Sequence, residues 1–431
     1  MKTKLLGLLI LFSLSLNAQS WVPVANGIDS TCVGSSCGII AMAVYNGELY
    51  VGGYFNEVDG VQIEHIAKWN GTAWSDVGGG VDNTVNALCV YNGELYAGGQ
   101  FTQAGGSVAA DQIAKWNGTS WSAVGTTGMN NKVDAFVVFN GDLYAGGYFD
   151  QADAIPCNGI ARWDGSAWSA VGQGFDAAVL SLAVYNNEVY AGGHFTNADG
   201  NTALHLAKWD GSAWSEVGGG TNERVRGMCV YNGDLYCGGW FTVAGSTPAN
   251  YIARWNGTTW STVGAGMDGP IYNSMTVFNN ELWVGGSFTL QGNFIAKWNG
   301  TNWSSLGIGM DHRVYGVAVY NNEFYAGGAF HNASGSPAYN IAKWNPTTGI
   351  DEGPGEFTVS CYPNPTQGLL FIDEAPIAST YEIVNVMGEQ ISTGTFVESH
   401  SSLNLTGYAK GIYFIRIKTE DSFCVRQIII E

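Results

Sequence analysis

Two adjacent glycines recur seven times along the chain, at Gly52-Gly53, Gly98-Gly99, Gly146-Gly147, Gly192-Gly193, Gly238-Gly239, Gly285-Gly286 and Gly327-Gly328. The spacings are 46, 48, 46, 46, 47 and 42 residues. A period of that size marks stacked or radial repeats, because one such unit cannot bury its own apolar face. Around each doublet the text is nearly constant, Y-N-G-E-L-Y-A-G-G-x-F-T and then I-A-K-W-N-G-T-x-W-S-x-V-G-x-G-x-D. Short apolar-alternating runs separated by Asn-Gly and Gly-Gly signals read as β-strands and tight hairpins, and no stretch has helical periodicity.

One repeat resolves into four strands. In the second copy they are predicted as strand a, 85–91, strand b, 94–101, strand c, 112–116, and strand d, 120–124. Asn92-Gly93 joins a to b and Asn117-Gly118 joins c to d, each read as a two-residue turn with two positive φ angles. Four antiparallel strands repeated radially make a β-propeller blade, so the expected fold class is all-β with seven blades. The ends of the array argue for closure. The seventh copy stops at Asn345 without its W-S-x-V-G strand, and Trp21-Val22-Pro23-Val24 near the N-terminus supplies that text. The N-terminal strand is therefore expected to complete the last blade, which removes the exposed edges an open array would leave.

Charged residues make up only 12% of the chain and aromatics 13%, with 61 glycines, as suits strands and turns around a large apolar interior. Fourteen of the sixteen tryptophans fall on repeat positions and read as packing between blades; the other two, Trp240 and Trp283, are the candidates for a sugar-stacking platform. Between residues 19 and 345, 25 acidic residues face 11 basic ones, a field that disfavours nucleic acid and other polyanions as partners. Cations, neutral glycans and basic peptides remain compatible with it.

Residues 1–18 read as an export signal, with Lys2 and Lys4 before the apolar run 5–16 and Asn17-Ala18 at the cleavage end. No other stretch approaches the length of a transmembrane span. Of the eight cysteines, Cys32 and Cys37 sit in an insertion unique to the first d–a loop and are expected to form a local disulfide, while Cys361 and Cys424 are candidates for a bridge in the C-terminal segment. Cys89 and Cys229 share one strand-a position and read as packing residues; Cys229 and Cys237 are expected on opposite faces and hence unpaired. The pairing of Cys157 is open.

After a linker, 346–356, the grammar changes at Phe357. The text Tyr362-Pro363-Asn364-Pro365, Gly368, the run 381–391 with Gly388, Leu403-Asn404-Leu405 and Gly411-Ile412-Tyr413-Phe414 follows in order to the end of the chain. These roughly 75 residues (357–431) resemble the C-terminal sorting domain of the type IX secretion system of Bacteroidetes-type bacteria. The resemblance implies a small β-sandwich, the type IX machinery as partner, transport across the outer membrane to the cell surface or beyond, and attachment of the cargo to surface lipopolysaccharide after removal of the sorting domain. The repeat region, 19–345, is similar to kelch-like propellers, a resemblance that fixes fold and not activity.

Candidate binding residues lie where strand a begins, on the d–a and b–c loops around the tunnel mouth. A G-x-D/N motif places Asp29, Asp82, Asn130, Asp176, Asn222, Asp268 and Asp311 there. Such a ring suits a cation such as Ca²⁺ or glycan hydroxyls; equally, Asp and Asn are what a turn leading into a strand needs for its own backbone. Seven of the 11 basic residues are the repeated Lys or Arg of A-K/R-W, whereas Lys132, Arg224, Arg226 and Arg313 all fall beside the start of strand a, with His312, Tyr272 and Tyr315. These departures from the repeat outline an Arg/Tyr-lined pocket, or alternatively a set of ion pairs with the Asp ring. The six histidines have no metal-ligand spacing, and no G-x-S-x-G elbow or phosphate-binding Gly loop occurs. Asp164 to Trp168 is similar to the Asp-box of sialidases with its spacing one short. The sequence therefore reads as a surface-displayed binding or adhesion module. Its alternatives are a glycan-active enzyme acting at the mouth and a structural surface component.

Overall fold

The computed structural model describes residues 20–28, 38–345, 359–385, 390–419 and 423–431, the side chains of 423–425 and 427 excepted. Asp29, Cys32, Cys37, Gly388, the export signal and the linker lie outside the described residues, as does the side chain of Cys424. Ser20–Asn345 forms one compact unit and the C-terminal segment contributes another.

The described residues of the first unit build seven four-stranded antiparallel sheets. Each is a blade with strand order a-b-c-d, exemplified by Val85–Tyr91, Glu94–Gly99, Ile113–Trp116 and Trp121–Ala123. Strand a is innermost: each one lies against strand a of the next blade, and that of blade seven against that of blade one. Blade seven takes its outermost strand from the N-terminus, Ser20–Pro23 pairing with Ala342 to Asn345. Pro23 is tolerated because strand d is an edge that needs no further N–H donor. The indole of Trp21 donates to Leu306 O (3.1 Å), as Trp121 does to Val77 O (2.7 Å) and Trp214 to Val171 O (3.0 Å) in other blades. The Tyr320 hydroxyl donates to Gly47 O (3.1 Å), the bond that Tyr45 makes to Gly93 O (3.0 Å) between blades one and two. The seam is thus built from the same contacts as the other blade junctions.

The glycine doublet has a steric cause. A Cβ on Gly98 would sit 2.7 Å from Phe136 and Val133 of the next blade, and one on Gly99 would sit 2.0 Å from the backbone oxygen of Thr84. The first glycine lets neighbouring blades close and the second lets strand b pass the start of strand a. Gly99→Ala must push backbone aside and is expected to destabilise the ring by about 1–3 kcal/mol or more, read as a shifted urea midpoint. An unshifted midpoint would contradict this packing role.

The Asn92-Gly93 turn has φ of +49° and +76°, as the hairpin reading requires. The c–d turn differs from expectation. Trp116 pairs with Trp121, so four residues form the loop; only Gly118 is left-handed (φ +100°), and Asn117 Oδ1 accepts the N–H groups of Thr119 and Ser120, both at 2.9 Å. Asp164 likewise accepts from Ser166 and Ala167 in its c–d turn, so the Asp-box-like text is a turn, at the end of the blade opposite the mouth. Between strands b and c most blades add a two-residue-per-strand hairpin, such as Gln103–Ala104 with Val108–Ala109. Blade six has none, which accounts for its short repeat. Trp283 is 2% exposed within the core and cannot serve as a platform, correcting that expectation, whereas Trp240 is 38% exposed. Cys89, Cys157, Cys229 and Cys237 are free thiols, and burial pushes Cys89 and Cys229 up to about 11.

In the C-terminal unit, Ser360–Tyr362, Leu369–Asp373 and His400–Asn404 form one sheet, and Gln390–Thr395, Thr380–Asn385, Gly411–Lys418 and Phe423–Ile430 form the other. Between them Leu370, Ile372, Ile383, Tyr413, Ile415 and Ile428 make a core, which is the expected β-sandwich. The Tyr-Pro-Asn-Pro text is tied down at two points. The Tyr362 hydroxyl donates to Asp373 (2.7 Å), and Asn364 Oδ1 accepts the N–H of Ile429 (2.8 Å). Pro363 and Pro365 flank Asn364, and Gly411 opens the strand that carries Tyr413, whose hydroxyl donates to Ala409 O (2.7 Å). Cys361 and Cys424 lie on strands of different sheets.

Candidate binding site at the propeller mouth

In every blade the a–b ladder slips after the first apolar residue of strand a. Each slip is a β-bulge, a device that bends a strand and re-aims one side chain. The single residues standing in the slip are Ile40, Asn86, Asp134, Leu180, Arg226 and Tyr315, and in blade six the register is lost over Tyr272, Asn273 and Ser274. The position that the fold singles out on the innermost strands is therefore the one where no common residue type is kept. Five of the sequence-derived candidates fall at or beside it: Arg226 and Tyr315 in the slip, and Lys132, Arg313 and Arg224 two residues before it.

Blades three to seven join these residues into an arc. Lys132 Nζ lies 3.4 Å from Asp134 and 4.2 Å from the ring centre of Tyr148. Tyr148 meets His194 at 6.1 Å, and the Arg224 guanidinium lies 4.0 Å over the Trp240 ring. Arg226 stands 5.4 Å from the ring of Tyr272, which meets Tyr315 at 5.0 Å nearly edge-on (81°). Arg313 hydrogen-bonds Tyr315 and donates from Nε to Ser287 Oγ at 3.2 Å. Asp134 is 10% exposed; one of its oxygens accepts from Asn86 Nδ2 at 2.8 Å. Burial pushes its carboxyl up against the opposing pull of Lys132 and Arg226. Burial, then Arg224 and Arg226, hold His194 below the usual imidazole range, so it is neutral at pH 7. His312 stacks on Phe294 (15° between planes) beside Arg313.

The Asp ring does something else. Asp82 Oδ1 accepts the N–H groups of Thr102 and Gln103 (2.7 and 3.0 Å) and Oδ2 accepts the Thr102 hydroxyl (2.8 Å). Asp176 and Asp268 repeat the pattern on their own blades, Asp311 accepts from His331 N and Asn332 Nδ2, and Asn130 and Asn222 do the same with an amide oxygen. Each side chain holds the b–c loop of its own blade. Among the described residues no cluster of three or more His, Cys, Asp or Glu is arranged to hold a metal. Nor do the arginines pair with this ring: among the described residues Arg224, Arg226 and Arg313 have no carboxylate within 4.0 Å.

Burial raises the Asp176 carboxyl, but the hydrogen bonds from Asn197 and Thr196 outweigh it and bring it down to about 2. A depressed carboxyl contributes stability that is present above its unfolded value near 3.8 and is lost as pH falls through about 2. Asp176→Asn, which copies the amides of blades three and five, should keep the loop anchored while removing this acid-side contribution. Melting curves between pH 5 and pH 2 would check it; an unchanged acid limb in the variant would contradict the assignment.

The bulge was not foreseen from the sequence, and with it went Asp134, Tyr148 and His194. Their signal was available as the variable residue that follows each first apolar residue of strand a, and the variable residue after each glycine doublet.

The fold defines a β-propeller unit and a small C-terminal β-sandwich unit. Residues 360–431 match the secretion system C-terminal sorting domain, and residues 122–228 match the Rax2 C-terminal beta propeller domain. The protein is thus exported by the type IX system to the cell surface or the extracellular space. Among solved structures, the chain is similar to the extracellular domain of BT3049, described as a hybrid two component system of B. thetaiotaomicron (11% identity, 96% of this chain and 57% of that one, TM-score 0.51). It is also similar to the extracellular domain of BT4673 from B. thetaiotaomicron, described as a one component system (13%, 96% and 58%, TM-score 0.50), and to PorZ of Porphyromonas gingivalis (14%, 90% and 59%, TM-score 0.47). The chain spans less than three-fifths of the length of each of these structures, and at such identities the likeness concerns the fold. No curated protein matches the sequence. Among the described residues no helix is long and apolar enough to cross a membrane.

Proposed function

We propose that the chain is a surface-displayed binding or adhesion module, a kelch-like ring whose ligand seat is the arc at the mouth of blades three to seven. The observation that supports this reading most is a contrast between two sets of cations. The repeated Lys or Arg of strand c is paired with Glu or Asp of strand b in all seven blades, at 2.8–3.5 Å. The basic residues that break the repeat gather instead at the bulges, where loops of several blades converge and can surround one ligand. Ion pairing within the blade accounts for the first set, whereas the three arginines of the second have no carboxylate within 4.0 Å among the described residues and meet aromatic rings and hydroxyls instead. In this reading the sorting domain delivers the ring to the surface, where attachment to lipopolysaccharide retains it, and neither catalysis nor a bound cation is needed.

The test is a screen of the exported ring against glycan and protein arrays, followed by Arg226→Ala, Arg313→Ala and Lys68→Ala. The two mouth variants should weaken binding at least tenfold, the usual scale for a desolvated charged hydrogen bond of about 1.5–3 kcal/mol, with unchanged melting. Lys68→Ala, which removes a pair between strands b and c, should bind normally. Loss of binding in Lys68→Ala alone would move the site elsewhere.

A further inference from the structure

The mouth of this acidic ring gathers its unpaired guanidinium groups. Over residues 19–345 acidic groups outnumber basic ones 25 to 11, yet Arg224, Arg226 and Arg313 stand half-buried there, with no carboxylate within ion-pair distance among the described residues. The Nε of Arg224 is buried without a hydrogen-bond partner. A guanidinium that has lost part of its hydration and gained no counter-charge is costly to keep, and an incoming anion relieves that cost.

Arg226 and Arg313 are the pair best placed to share one anion. They belong to blades five and seven and bracket the two phenol rings contributed by blades six and seven, Tyr272 and Tyr315. Both act electrostatically on the Tyr315 hydroxyl, so both charges converge on one region of the mouth. The guanidinium is a planar fork of donors whose natural complement is a carboxylate. A bare inorganic anion would use none of the neighbouring surface. Exposed aromatic rings on the same arc, Trp240 (38% exposed) beneath Arg224 and Tyr148 (41%) beside Lys132, add surface on which a sugar ring can lie. A carboxylate fixed to a sugar ring uses both the guanidinium fork and the rings.

We propose that the mouth binds acidic saccharides, with the carboxylate of a uronic acid residue held by Arg226 and Arg313. The proposal rests on the mouth being the ligand seat and goes further by naming the ligand class. The acidic exterior of the ring keeps the long-range field negative, so recognition comes from short-range pairing and not from steering.

The experiment is calorimetric titration of the exported chain, from residue 19 onward, with oligogalacturonates, oligoalginates and oligoglucuronans, and with the same oligosaccharides after reduction of their carboxyl groups. The acidic forms should bind, and carboxyl reduction should weaken binding at least tenfold. Arg226→Ala and Arg313→Ala should each produce a comparable loss, and Arg226→Lys, which keeps the charge and loses the fork, an intermediate one. If no acidic oligosaccharide binds, or the reduced forms bind as well, the proposal fails; the mouth nonetheless stands as the seat if ligands found by array still depend on Arg226. If acidic oligosaccharides bind and no arginine variant responds, both the proposal and the mouth reading fail. If peptides with a free C-terminal carboxylate displace the saccharides and bind more tightly, the ligand is a peptide and the proposal is overturned.

Discussion

A chain lacking residues 19–27 should melt far below the intact ring and should self-associate. Those residues carry Trp21 and Val24, each 2% exposed, and the four-residue ladder that covers the outer side of Ile341–Asn345. Trp21 packs edge-on against Trp344 at 5.2 Å and Phe324 at 5.9 Å, and its indole N–H bonds the preceding blade. Truncation of a buried aromatic costs about 3–5 kcal/mol, so Trp21→Ala alone should lower the urea midpoint clearly. The full deletion also strips the partner from the strand carrying Trp344, leaving an unpaired edge on a blade whose neighbour still expects a lid. The melting temperature should fall by on the order of 10 °C, and the bare edge should pair with that of a second molecule, visible as dimers by light scattering. A deletion that melts like the intact chain would mean that blade seven needs no fourth strand and that the ring is held elsewhere.

The closure was legible because it rests on repetition. A missing strand text at one end and the same text at the other can be matched without any knowledge of distance, and the seam reuses the contacts of every other junction. The glycine doublets were legible as markers, but their cause, a backbone oxygen 2.0 Å from a hypothetical Cβ, is a property of packed blades that no linear pattern displays. The c–d turn was misread because Asn-Gly suits two different loops. Tryptophans on both sides fix a four-residue connection there, and the Asn side chain takes over the work of a second left-handed residue. Trp283 was misread for a related reason: it stands where other blades have a buried Tyr, so its departure from the repeat is a change of residue within one packing position.

At the mouth, the sequence placed the unusual cations beside the Asp ring and left two outcomes open. The structure separates the two groups. Asp and Asn residues spend their acceptors on the b–c loops, where Asn serves as well as Asp, and the arginines turn to aromatic rings and hydroxyls. What decides this is the bulge, a local slip of register that changes the direction of a side chain without altering composition. A repeat-based reading finds which residues differ and cannot find where they point.

The largest effect expected in the cell concerns delivery. A chain ending at Asn345 retains every strand of the ring, because all seven blades are built from residues 20–345. It should fold, melt like the ring of the intact protein, and still be absent from the surface, since the sorting domain match covers 360–431. The same loss should follow from Ile415→Asp in the full-length chain. Ile415 is fully buried between the two sheets, and a carboxylate there has no partner to offset its desolvation. The sandwich would unfold while the ring, which shares none of these core residues, would not. Ile412→Ser, on an exposed face of the same strand (42% exposed), leaves the core intact and should be exported normally. Cell fractionation with protease shaving of intact cells reads all three. Surface signal for the truncated chain at the level of the intact one would refute a sorting role for the C-terminal unit. Loss of signal for Ile412→Ser with a stable sandwich would instead show that the machinery contacts this face directly.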